Sequence, residues 1–141
     1  MKDFGPEYYN TLKEFTVLIV DDVPANVNKI VDILKPYGSG LAKAYSGREA
    51  MEYIDRQKPS MILLDLMMPD ITGWKVIRYV RERYSYDELP IIVTSAITNH
   101  ENISECYKMG VNDYVAKPIV PDRLLNSVVV QTRRLYSEGR R

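Results

Sequence analysis

The sequence predicts a doubly wound α/β fold, a parallel sheet covered by helices on both faces. Short, continuous apolar runs (TVLIV, MILL, IIV) are bounded by polar or proline residues, as strands buried on both faces are. Longer amphipathic stretches lie between them. The two kinds of segment alternate as β-α, repeated five times, along a chain of 141 residues, the usual size of one domain.

Taken in order, the first strand is Thr16–Val20. The first helix, Ala25–Lys35, sets Val27, Ile30, Val31 and Leu34 on one face. Pro24 suits its first turn, and Pro36 followed by Tyr37-Gly38 ends it. A weaker strand follows at Leu41–Tyr45. Ser46 caps a second helix that runs through Gln57, with Glu49 completing a capping box. Met61–Leu64 is the third strand, and Gly73–Tyr84 is a helix with Val76, Ile77 and Val80 at helical spacing. Ile91–Val93 is the fourth strand. Asn99–Met109 forms a short helix closed by Gly110. Asp113–Ala116 is the second weak strand, and from Asp122 the run Leu124, Leu125, Val128, Val129 continues as a helix towards Tyr136.

Composition removes several function classes. Hydrophobic residues make up 45% and charged residues 27%, which is ordinary for a globular domain. Nineteen basic residues balance nineteen acidic ones, so neither nucleic acid nor a membrane surface is indicated as a main partner. The single cysteine, Cys106, forms no internal disulfide and reads as buried packing, which suits a reducing cytoplasm. The N-terminal MKDFGPEYYNTLKEF lacks the apolar core of a signal peptide, and no apolar run approaches the roughly 18 residues of a membrane span.

In a doubly wound sheet the ligand site lies beyond the carboxyl ends of the strands. There the sequence puts Asp21-Asp22 after the first strand, Asp65 at the third, Ser95 after the fourth and Lys117 after the fifth. Any one of these has an ordinary explanation as a turn or cap residue. Together they make a chemistry. Three carboxylates converging at one edge repel one another unless a cation intervenes, and Mg²⁺ (or Mn²⁺) fits the oxygen donors. Lys117 supplies a positive charge for Asp65 or for a phosphoryl oxygen, and Ser95 a hydroxyl. Pro118 restricts Lys117 to extended geometry, and a cis bond is plausible there. The set suits phosphoryl transfer to a carboxylate, with Asp65 as nucleophile.

The motifs VLIVDD, MILLDLMMPDITGW, PIIVTSA and GVNDYVAKP, over about Phe15 to Tyr136, resemble the receiver domain of bacterial two-component response regulators. The resemblance implies a flavodoxin-like sheet of order 2-1-3-4-5 and phosphorylation of Asp65 by the phosphohistidine of a histidine kinase or phosphotransfer protein. It implies Asp22 and Asp65 as metal ligands, Met67 through its backbone carbonyl, and Asp21 directly or through water. Ser95 takes the switch hydroxyl position and Tyr114 the switch aromatic position. On phosphorylation Ser95 would move towards the phosphoryl group and Tyr114 would rotate inward. The surface of the fourth helix, fifth strand and fifth helix would change shape for a downstream target or a homodimer partner. Thr94 stands where an aliphatic residue is usual and Ile119 where phenylalanine is common, and neither is expected to touch the chemistry. Met1–Glu14 has no counterpart in the pattern, and residues 137–141 form a basic tail.

Met67, two residues after Asp65, and Ile97, two after Ser95, flank the path of an attacking water. Neither side chain can orient one, so self-dephosphorylation should be slow. Beyond transfer to and from itself, no enzymatic activity is expected. An aspartyl phosphatase of the haloacid dehalogenase type wants an acid two residues after the nucleophile, where Met67 stands. A flavin mononucleotide site would be repelled by Asp21-Asp22. A receiver used purely for binding would not need the intact set. The length leaves room for no second domain, so the chain is expected to be either a stand-alone receiver or one cut from a longer regulator.

Overall fold

In the computed structural model, residues 15–37 and 40–137 are described. The proposed extension Met1–Glu14, Gly38 of the helix-ending signal, and Arg140-Arg141 of the basic tail lie outside them.

Five strands, β1 (Thr16–Val20), β2 (Gly40–Ala44), β3 (Met61–Leu64), β4 (Ile91–Ser95) and β5 (Asp113–Ala116), pair in parallel in the order β2-β1-β3-β4-β5. They alternate with α1 (Pro24–Leu34), α2 (Gly47–Arg56), α3 (Gly73–Arg81), α4 (His100–Lys108) and α5 (Pro121–Ser137). The fold and order are those expected. β2 lies one residue earlier than expected, and β4 runs on to Ser95, so that residue belongs to the strand itself.

Every residue of β3 and β4 is buried, which is why these strands read as continuous apolar runs. Alternation sends their side chains into two cores. Leu18, Val20, Ile62, Leu64, Ile91, Val93 and Tyr114 face one layer, with Val76, Ile77 and Val80 of α3. Val17, Ile19, Met61, Leu63, Ile92 and Val115 face the other, with α1 and α5. β2 is the half-exposed edge strand, hence its weak signal.

The local signals work as chemistry predicts. Ser46 Oγ accepts from Glu49 N, while Glu49 reaches back to the Tyr45 amide, one residue before the cap. Pro24 occupies the first turn of α1, and Gly110 ends α4 with φ +95. Cys106 is buried, and burial pushes its thiol up to about 11. Among the described residues no helix is long and apolar enough to cross a membrane.

Candidate functional site

β1 and β3 lie side by side at the centre of the sheet and end level with each other, so Asp21 and Asp65 emerge as neighbours. The Asp65 amide donates to Val20 O at 3.0 Å. With Asp22 they form a cluster whose carboxylate oxygens lie within 4.8 Å of one another. Asp21 is fully buried, Asp65 is 5% exposed and Asp22 is half-buried.

The three carboxylates are not equally served. Asp21 Oδ1 accepts from the Val23 amide (2.9 Å) and Asn26 Nδ2 (3.4 Å), and Oδ2 accepts from Lys117 Nζ at 2.7 Å. Asp65 has only long contacts, the Met67 amide at 3.4 Å and Lys117 Nζ at 3.5 Å. Burial therefore pushes the Asp65 carboxyl above its ordinary 3.8; Lys117 opposes the shift and Asp21 adds to it. Lys117 was expected to pair with Asp65 or a phosphoryl oxygen, yet its nearer partner is Asp21. It bridges the two acids. An oxygen-only pocket with surplus negative charge fits a hard divalent cation, which would have to compete with Lys117 for Asp21. The Lys117-Pro118 bond is cis.

Ser95 is buried at the end of β4. Its Oγ accepts from the Ile97 amide at 3.2 Å, and its carbonyl accepts from the Lys117 amide at 2.8 Å. Tyr114 is 8% exposed and donates its hydroxyl to the Ile97 carbonyl. It was expected to turn inward only on phosphorylation. Instead it is already inside, and burial raises its hydroxyl above the ordinary value. Ile97 thus enters the site through its backbone, joining Ser95 and Tyr114. The Met67 side chain is 62% exposed.

Behind Tyr114, Asp113 accepts from both terminal nitrogens of Arg123 at 3.0 Å and from the hydroxyls of Ser127 and Tyr107. This ties α4, β5 and α5 into one surface. Burial pushes the Asp113 carboxyl up, but the bonds from Arg123, Ser127 and the Tyr114 amide outweigh it and hold the group below 3.8.

Three contributors carried no assigned role in the motifs. Asn26 steadies Asp21. Gly73 opens α3 against the backbone of Asp65, where a Cβ would stand 2.3 Å from the Asp65 carbonyl, so only glycine fits. Its signal is the lone glycine of MPDITG. Thr94 was expected to stand clear of the chemistry. The β3–β4 register ends with Leu64 opposite Val93, so Thr94 and Asp65 are the next residues of their two chain segments.

Known proteins share both pattern and shape. The response regulator receiver domain family matches residues 17–129. A 14.6 kDa protein from the sodA1 3′ region of Leptolyngbya boryana is 30% identical over 118 residues, 84% of this chain and 90% of that one. The receiver domain of Francisella response regulator 1452 superposes with a TM-score of 0.78 at 29% identity, covering 85% of this chain and 98% of that one. Chemotaxis protein CheY4 of Vibrio cholerae gives 0.75 at 28% identity, over 81% and 95%. With residues 17–129 matched by the family and the same five-stranded parallel sheet, this chain belongs to the response regulator receiver domain family.

Proposed function

We propose that this receiver domain is a phosphoacceptor switch. A carboxylate oxygen of Asp65 attacks the phosphorus of a phosphohistidine on a histidine kinase or phosphotransfer protein. The P–N bond breaks as the acyl phosphate forms. The observation that supports this reading best is the poorly served Asp65 carboxylate, buried between two acids and one ammonium. A group left without short donors is free to act as a nucleophile.

Asp21, Asp22 and Asp65, with the Met67 carbonyl, would hold Mg²⁺ or Mn²⁺, which supplies positive charge to the transferring oxygens. Lys117 turns from Asp21 to a phosphoryl oxygen, and the Ser95 hydroxyl, which accepts from the Ile97 amide, donates its proton to another. Fixing Ser95 in this way fixes the Ile97 turn that receives Tyr114, and through Asp113 and Arg123 the effect reaches α4, β5 and α5. That surface is the proposed docking site for a downstream protein or a second phosphorylated copy. Since Tyr114 is already inward, phosphorylation consolidates a conformation present beforehand. The domain acts on no substrate but itself, and a reducing cytoplasm is its proposed compartment.

Acetyl phosphate with Mg²⁺ tests this by intact mass. Wild type should gain one phosphoryl group, and Asp65→Asn or added chelator should abolish the gain. The phosphorylated form should decay slowly, with Met67→Glu or Ile97→Asn changing the rate. No gain with any donor or metal would leave the fold as a binding module that works without phosphorylation.

A further inference from the structure

β4 places Thr94 deep in the sheet. The residue is 1% exposed, and its Oγ1 is the buried side-chain atom with no hydrogen-bond partner among the described residues. Native interiors rarely leave a hydroxyl in that condition without a reason.

Two placements suggest the reason. Ile92 belongs to the core on the α1 and α5 side and Val93 to the opposite one, so alternation returns Thr94 to the α1 and α5 side. Its β5 partner, Val115, lies in that same core. β3 ends at Leu64, paired with Val93; continued by one residue, the same alternation and register would carry Asp65 onto this side, level with Thr94. Directly opposed residues on one face are within side-chain reach. An acid whose nearest donors lie at 3.4 and 3.5 Å thus stands beside a hydroxyl donor with no acceptor. A step about χ1 exchanges the threonine methyl and hydroxyl at no change in volume.

We propose that Thr94 is a positioning residue for Asp65, a reserve donor that engages its side chain when Lys117 turns away to the phosphoryl oxygens. The proposal rests on the phosphoacceptor reading above. It gives Thr94 two opposite effects: an idle hydroxyl burdens the resting protein, and a bonded one favours the loaded protein. A threonine that merely packs would have neither.

Thermal unfolding of the full chain, alone and with beryllium fluoride plus MgCl₂ as a phosphoryl mimic, separates these effects. Thr94→Val, of the same shape, should unfold at the same or a higher temperature when unloaded. Its apparent affinity for the mimic should fall about fivefold, the scale of one ordinary lost hydrogen bond. Thr94→Ser should restore that affinity. Wild-type affinity in Thr94→Val would overturn the proposal, as would a lower unloaded unfolding temperature, since the hydroxyl would then be at work already. If wild type itself shows no response to the mimic, the phosphoacceptor reading falls, and this inference with it.

Discussion

The two ends of the sheet handle charge in opposite ways. At the amino end of β4 and β5, Arg81 closes α3 and pairs with no carboxylate among the described residues. It donates instead to the Gly110 carbonyl through Nε (2.9 Å) and Nη2 (2.8 Å), and to the carbonyls of Tyr84, Ser85 and Leu89 at 3.2, 3.1 and 2.8 Å. Nη2 also reaches Asn112 Oδ1 at 3.0 Å, and Asn112 in turn accepts from the Ile91 amide. Burial lowers the guanidinium from its ordinary value to about 10, so it stays charged at neutral pH. At the carboxyl end three carboxylates cluster, and two of them share one ammonium. One charge spread over neutral oxygens is satisfied without a moving part. A cluster of one sign is satisfied only when something binds, and that makes the second end responsive.

The largest expected effect breaks the static end. Arg81→Met keeps the stem of the side chain but strands the carbonyls it serves, and should cost about 3 kcal/mol in chemical denaturation. Arg81→Lys should recover little, because an ammonium cannot reproduce the fork. Full stability in Arg81→Lys would mean that charge alone, and not the directed bonds, closes this end.

A cation sharpens the contrast. At a hundredfold excess over its dissociation constant, Mg²⁺ should stabilise wild type by about 2.7 kcal/mol. Asp22→Ala should lose that increment, while Arg81→Met should keep it despite its lower starting point, since the two ends share no partner. If Arg81→Met loses it too, the ends are coupled and the comparison fails.

The sequence makes the responsive end legible and leaves the static end nearly silent. Asp21, Asp22, Asp65, Ser95 and Lys117 fall at strand ends, so the period of the apolar runs alone brings them together. Which acid Lys117 favours depends on ångström differences that no spacing records. Arg81 stands in RYVRERYS beside Arg78 and Arg83, and all three look like exposed helix cations. Only the close approach of the Gly110 turn distinguishes it, and that turn is 29 residues away in sequence. Thr94 is hidden for a related reason, because a threonine fits a buried strand in shape and its missing partner shows only in three dimensions.

The smallest predicted effect probes the imbalance within the responsive end. A carboxyl whose folded pKa lies above its ordinary value holds its proton more tightly when folded, so stability falls as pH rises from 3.8 through the raised value. Asp65 is such a group. Without metal, Asp65→Asn should therefore be more stable than wild type at neutral pH, the difference vanishing as pH drops below 3.8. Asp113 is the opposite case, because its folded pKa is lowered. Its stabilisation is complete above 3.8 and is lost only as pH falls through the lower folded value, so Asp113→Asn should weaken the protein at neutral pH. Urea titrations of both variants at several pH values should thus diverge from wild type in opposite directions. If Asp65→Asn is instead the less stable protein at neutral pH, the acceptor carboxylate is better served than contacts of 3.4 and 3.5 Å allow, and the case for its readiness to react goes with it.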